Sequence, residues 1–265
     1  MKNGGVCVIS GASKGIGEAC AKEFAARGWK VYGLSRSGAC PEGANGLCCD
    51  VTDEKAVEAA LKEIRSREEN GIDLVIANAG SGISGAAEFT KSEDAHYQFE
   101  VNFFGLFYLI KHAIPYLRET KGRALAVSSA AAVFSIPFQS FYSASKSAVS
   151  TFVCAVANEV KPFGISAGYL LLGDVKTGFT AARRKSSAGD GGVYAGAIER
   201  SVAKMERDEQ NGMPPEKVAK SVRRVAEKRR LPLKTTVGAS YKLLIFLSRI
   251  LPLSWQNAII RKLYT

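Results

Sequence analysis

Tyr142 and Lys146 are four residues apart in the stretch Tyr142, Ser143, Ala144, Ser145, Lys146. On a helix this spacing stacks the two side chains one turn apart, with Cβ atoms roughly 5 to 6 Å from each other, so a phenol and an ammonium share one face. A positive charge there favours phenolate. Bringing a tyrosine from its usual pKa of about 10 to neutrality takes about 4 kcal/mol, about what one unit charge at ~4 Å supplies at an effective dielectric constant near 20. The pair therefore has the makings of a proton-transfer unit. Tyr-x-x-x-Lys also fits an ordinary solvated helix face, so its meaning rests on the elements that position it.

Short apolar, β-branched runs alternate with helical patterns from the start of the chain. This predicts βαβ units and an α/β fold with a doubly wound, mainly parallel, Rossmann-like sheet of about seven strands and helices on both faces. Strands are read at 6–10, 30–35, 47–50, 74–78, 124–128, 166–171 and 235–237. A helix over 15–27 is closed by Gly28, and Thr90 with Glu93 reads as a capping box opening a long helix to about Glu119 that carries Asn102. A helix over 142–160 carries the Tyr/Lys pair and stops before Pro162. Residues 183–192, rich in small and charged types, read as a mobile loop.

Gly11, Ala12, Ser13, Lys14, Gly15, Ile16 and Gly17 lie between the first strand and the first helix, where a dinucleotide pyrophosphate binds in such folds. Gly11 suits the tight turn, Gly15 lets backbone approach phosphate, and Gly17 permits close packing. The helix N-terminus adds free N–H groups and a positive dipole end. An acid that would hold a ribose 2'-hydroxyl is missing at the end of the second strand. Ser35 and Arg36 stand there instead, Arg36 being 19 residues after Gly17. A guanidinium at that position fits a 2'-phosphate, and Lys14 adds charge, so NADP(H) is expected over NAD(H).

The bulk properties set limits. A chain of 265 residues can bury one large core and is read as a single domain. Cys7, Cys20, Cys40, Cys48, Cys49 and Cys154 include no C-x-x-C pair and there are only two histidines, His96 and His112, so no metal site and no disulfide framework is expected. Free thiols, a first apolar run too short for an export signal and a greasiest stretch broken by Arg249 and Pro252 together give a cytoplasmic expectation without a membrane span. Residues 1–177 carry 18 Lys and Arg against 18 Asp and Glu, so the whole net charge of +11 sits in residues 178–265. That region lacks the aromatic interleaving of a nucleic-acid stripe, and nucleic acid is not expected as a partner.

The ordered set resembles the short-chain dehydrogenase/reductase family, in its compact single-domain subgroup, over roughly residues 5–177. Beyond residues 11–17, the resemblance rests on Asp50 and Val51 at the family's adenine-contacting position, and on Asn78, Ala79 and Gly80 at its Asn-Ala-Gly motif. Asn102 matches its helix asparagine, and Ser129 precedes Tyr142 by 13 residues, with Ser128 as the competing serine. The resemblance implies a catalytic tetrad of Asn102, Ser129, Tyr142 and Lys146. Tyr142 would exchange a proton with the substrate oxygen and Ser129 would hold that oxygen. Lys146 would lower the Tyr142 pKa and bind the nicotinamide ribose, and Asn102 would position a water leading protons to Lys146. Val175 and Thr177 match the segment that contacts the nicotinamide amide. One departure is Leu172 before Gly173, where the family has Pro-Gly. The expected activity is hydride transfer between NADP(H) and a carbonyl or secondary alcohol; the alternative is a non-catalytic NADP(H)-binding sensor or scaffold, which could dispense with the Tyr/Lys unit. Apolar faces on the two long helices suggest a homo-oligomer, and the resemblance implies a dimer or tetramer.

The resemblance weakens past Thr177, leaving residues 178–215 as an expected substrate lid with room for an extended small-molecule substrate. Pro214 and Pro215 open a helix with Val218, Val222 and Val225 on one face and Lys220, Arg223, Arg224 and Lys228 largely on another. The basic face reads as solvated, or as drawn to anionic lipid or an acidic carrier. The tail over 240–265 is amphipathic. It either covers a substrate pocket or a neighbouring subunit, or lies peripherally in a membrane interface. The second reading suits a ketosteroid, retinoid or long-chain ketone; a β-ketoacyl thioester is the other substrate class.

Overall fold

The computed structural model describes residues 4–185 and 192–265. In chain order the elements begin β1 (Val6–Ser10), α1 (Gly15–Ala25), β2 (Lys30–Ser35), β3 (Asn45–Cys48), α2 (Glu54–Arg67), β4 (Leu74–Ala77) and β5 (Ile83–Ser84). They continue through α3 (Ser92–Phe99), α4 (Gly105–Thr120), β6 (Arg123–Ser129), α5 (Ser140–Val160) and β7 (Ser166–Leu172). The last third holds α6 (Phe179–Ala182), β8 (Arg184–Lys185), α7 (Ala195–Gln210), α8 (Pro215–Ala226), β9 (Lys234–Val237), α9 (Ala239–Leu247) and α10 (Leu253–Tyr264).

Seven strands form one parallel Rossmann-like sheet in the order β3-β2-β1-β4-β6-β7-β9. A parallel sheet is covered on both faces, which is why its central strands are apolar at almost every position rather than alternating. All of β1 and β4 is buried. Against one face pack Val57, Leu61 and Ile64 of α2, Leu109 and Leu117 of α4, and Val149, Val153 and Val156 of α5. Cys20 and Phe24 of α1 and Val218, Val222 and Val225 of α8 cover the other. The valine row foreseen on the helix after Pro214 is thus core, while its Arg223 pairs with Glu23 of α1 at 2.7 Å.

Several boundaries differ from the sequence reading, each for a local reason. The third strand lies two residues earlier than expected, because Asp50 turns the chain by accepting from the amide and hydroxyl of Thr52 at 3.0 and 2.9 Å. Thr90 does not cap the next helix; its hydroxyl donates to the Ala86 carbonyl at 2.9 Å. The long helix is interrupted by a π turn over Glu100–Phe104, a feature that often marks functional sites, and this turn carries Asn102. Within the stretch expected as a loop, Arg184–Lys185 pairs in parallel with Ile83–Ser84, and residues 186–191 lie outside the described residues.

Phe24 is fully buried, with its ring edge-on to Trp29 at 5.4 Å between centroids. Phe24→Ala should lower the free energy of unfolding by about 3 to 5 kcal/mol in urea titration. A loss under about 1 kcal/mol would contradict this core assignment.

Candidate active site

The carboxyl ends of β1, β2, β4, β6 and β7 border one cavity of about 1280 Å³. At the β1 end, Gly11 adopts φ +68° and Gly15 φ +61°, backbone that favours glycine. A Cβ on Gly17 would sit 2.1 Å from the Gly11 carbonyl oxygen, so only glycine lets α1 start this close beneath the turn. No side chain caps the helix at Lys14, which leaves its first-turn amides facing the cavity that Ser13, Gly15 and Ile16 line. Ser10 Oγ accepts from the amides of Asn78 and Ala79, both at 3.0 Å, while Asn78 Nδ2 donates to the carbonyls of Ser10 and Gly11. The turn after β4 is therefore tied to the glycine turn. Arg36 and Lys14 are exposed at the rim, line the cavity and form no ion pair among the described residues. An uncapped helix start and two unpaired cations fit the diphosphate and 2'-phosphate of a dinucleotide.

Tyr142 and Lys146 both lie on α5, as their spacing requires. Lys146 is almost completely buried and its Nζ donates to the Val127 carbonyl at 3.0 Å. Burial brings its pKa down to about 8. The Tyr142 phenol moves the other way: burial pushes it up to about 12, opposed by a hydrogen bond with Ser129 and by the Arg183 charge, and reinforced by Glu209 and Asp174. This runs against the expectation that Lys146 holds the phenol low. The Lys146 ammonium is 6.0 Å from the Tyr142 ring centroid and spends a hydrogen bond on backbone instead. In the chain by itself Tyr142 is accordingly a protonated acid.

The two candidate serines separate cleanly. Ser128 Oγ donates to the Lys146 carbonyl at 3.0 Å and lies 3.0 Å from Ser150 Oγ, holding β6 against α5. Ser129 lines the cavity and bonds with Tyr142. Asn102 is buried and fully engaged: Oδ1 accepts from the Ser81 amide at 2.8 Å, while Nδ2 donates to the Ser81 carbonyl at 3.1 Å and to Ser145 Oγ at 3.0 Å. It fastens the turn after β4 to α5. A Cβ on Gly80 would lie 3.3 Å from Asn102 Oδ1 and 3.5 Å from Lys146 Nζ, so the two polar ends converge beneath that glycine.

The structure brings Gly11, Ser13, Lys14, Gly15, Ile16, Ser35, Arg36, Asp50, Val51, Asn78, Ala79, Gly80, Ser129, Tyr142, Lys146, Val175 and Thr177 to the wall of one cavity. Gly17 and Asn102 stand behind that wall. Beyond Tyr142 the cavity continues into a region the sequence did not resolve, lined by Phe179, Met205, Met213, Tyr241, Leu244 and Tyr264 among others. The Phe179 ring lies 5.9 Å from that of Tyr142. Tyr241 donates to Asp174, and a Cβ on Gly173 would collide with its ring at 1.9 Å. Gly173 and Asp174, directly after the Leu172 departure, thus form the contact that seats the tail. The amphipathic pattern of the tail was the only signal for this contact, and it left the location open.

The model of the short chain dehydrogenase family matches residues 5–188. Among curated proteins, the chain is 36% identical over 247 residues to a 3-ketodihydrosphingosine reductase of Bacteroides thetaiotaomicron, covering 92% of this chain and 91% of that protein. Among solved structures, a short-chain dehydrogenase from Streptomyces avermitilis superposes with a TM-score of 0.83 at 27% identity over 94% of each chain. An alcohol dehydrogenase from Thermococcus sibiricus complexed with 5-hydroxy-NADP gives 0.73 at 25% identity, over 90% of this chain and 97% of that one.

Because the folded-state pKa of Lys146 lies below its ordinary 10.5, the unfolded chain holds more protons between about pH 8 and 10.5. The contribution of Lys146 to stability must therefore rise with pH through that window. Measured against Lys146→Met, the wild type should gain on the order of 2 kcal/mol of unfolding free energy between pH 8 and 10. A difference that does not vary with pH would contradict the lowered pKa.

Proposed function

The chain belongs to the short-chain dehydrogenase family, and from that premise we propose that it is an NADP(H)-dependent reductase of a ketone carried on a long-chain amphiphile. The observation that carries this reading is a continuous cavity that runs from the glycine turn past Tyr142 to the tail, where Phe179, Met205, Leu244, Leu247 and Leu263 line it beside the polar Asp174, Lys204 and Asp208. At about 1280 Å³ it exceeds the roughly 300 to 1,000 Å³ of ordinary ligand pockets, in keeping with a cofactor and a sizeable substrate bound together. Relatedness to a 3-ketodihydrosphingosine reductase supports the same substrate class. The unpaired Arg36 and Lys14 support NADP(H) over NAD(H).

When bound, NADPH would supply the hydride for ketone reduction and NADP+ would accept it in the reverse direction. Tyr142 Oη gives its proton to the carbonyl oxygen, a role suited to a phenol that burial keeps protonated. Ser129 Oγ holds that oxygen and offsets the charge developing on it. Lys146 would bind the nicotinamide ribose, and its charge together with that of an oxidised nicotinamide would lower the phenol once the cofactor is in place. Asn102 positions the turn after β4 rather than the reacting atoms, while Asp50 and Val51 face the adenine and Val175 and Thr177 the nicotinamide amide. Residues 1–265 act as one unit in this reading, with 178–215 as the lid. Two cytoplasmic copies would pair through the faces of the two long helices, α4 and α5, in this reading.

NADPH absorbance followed with a long-chain 3-keto amphiphile, a ketosteroid, a β-ketoacyl thioester and a short soluble ketone tests the substrate class. Fastest turnover on the amphiphile is expected; preference for the thioester or the steroid would overturn that assignment. Tyr142→Phe should cut kcat by about 10²- to 10⁴-fold while leaving NADPH affinity nearly intact, and retention of most of the rate would refute its role. Arg36→Asp should reduce the preference for NADPH over NADH by about 10- to 100-fold, the loss of one charge-assisted hydrogen bond. An unchanged preference would remove Arg36 from the site.

A further inference from the structure

The tail is apolar on two sides. Leu244, Leu247, Ile259 and Leu263 line the cavity, whereas Leu243, Phe246, Ile250, Leu253 and Trp255 do not and are 58 to 69% exposed. Nine of the thirteen large hydrophobic residues exposed among the described residues fall between 243 and 263, so the patch is a concentration and not a scatter. Tyr241 on Asp174 seats the start of α9, and Gln256 Nε2 donates to the carbonyls of Ser248 and Leu251 at 2.8 Å, closing the turn between α9 and α10. The outward face is therefore held in place, on helices whose other side lines the cavity.

Charge selects what covers it. From residue 228 to residue 265 there are eight Lys and Arg and no Asp or Glu. A second copy would bring two such uncompensated surfaces together, which like-charge repulsion opposes. Lys242, Arg249, Arg261 and Lys262, all exposed, instead match an anionic surface with an apolar interior. No helix among the described residues is long and apolar enough to cross a bilayer, so the contact lies in the plane of the interface. We propose that α9 and α10 dock on an anionic lipid bilayer, Trp255 and Phe246 entering the headgroup boundary, so that the cavity mouth opens against the membrane and takes its substrate from there. Docking rests on the tail surface alone; the link to substrate entry rests on the reductase reading above.

Flotation of the full chain with phosphatidylglycerol vesicles and with phosphatidylcholine vesicles tests the docking. Wild type should bind the anionic vesicles more tightly, and rising salt should release it. Phe246→Ser/Leu253→Ser/Trp255→Ser should bind them at least about ten-fold more weakly, with NADPH affinity and turnover of a short soluble ketone unchanged. Lys242→Glu/Arg249→Glu should weaken anionic binding while leaving the apolar face untouched, which keeps the test sound if the triple variant fails to fold. Equal binding to both vesicle types, or undiminished binding by the variants, would overturn the proposal. So would a triple variant that falls from dimer to monomer with vesicle binding intact, since the face would then belong to a second copy. Vesicle binding without turnover of any ketone would sink the reductase reading and leave the docking standing.

Discussion

Parallel pairing brings every strand's carboxyl end to the same edge of the sheet, and that constraint assembles this site. Ser10 and Gly11 leave β1 there, Arg36 leaves β2, Asn78 leaves β4, Ser129 ends β6 and Gly173 leaves β7. Residues more than one hundred positions apart in sequence become neighbours without any of them having to seek the others. What then remains for side chains is to fix the turns. Ser10 and Asn78 lock the first turn to the third, and Asn102 locks the third to α5. Each lock uses a buried polar group whose hydrogen bonds are made, so the edge is rigid where a dinucleotide must be held.

The electrostatics of the Tyr142/Lys146 pair follow from the same burial. Removing an ammonium and a phenol from water disfavours both charged forms, so Lys146 falls to about 8 and Tyr142 rises to about 12. Helix spacing alone gives proximity, not a phenolate. The Val127 carbonyl captures the ammonium before the phenol can. In the proposed reaction a protonated Tyr142 would deliver its proton to the carbonyl, and the reverse direction would need the added positive charge of an oxidised nicotinamide.

Much of this was legible in the sequence because it is local. The glycine turn, the alternation of strands and helices and the placement of Tyr142 and Lys146 on one helix depend on neighbours within a few residues, and the structure reproduces them. Where the reading departed, a competing short-range bond or a long-range contact decided the outcome. Thr90 had an acceptor behind it at Ala86 as well as a helix ahead. The side chain of Asn102 meets the amide and carbonyl of Ser81, a contact 21 residues away that no local pattern encodes. The tail's wall of the cavity depends on Tyr241 meeting Gly173 and Asp174 across 67 residues, and no periodicity in the tail encodes that meeting. Charge partition did show that residues 178–265 differ in kind from the rest, and the structure places residues of their final helices in the cavity wall.

The central claim is that Tyr142 hands a proton to a ketone oxygen as hydride arrives at its carbon. NADPH carrying deuterium at the transferring C4 position, turned over in water and in deuterium oxide, tests it most directly. Deuterium is expected on the product's carbinol carbon, with a slowing from labelled cofactor, a further slowing from solvent, and a cofactor effect undiminished in deuterium oxide. Product without label, or a cofactor effect that shrinks in deuterium oxide because a separate proton step limits the rate, would contradict it.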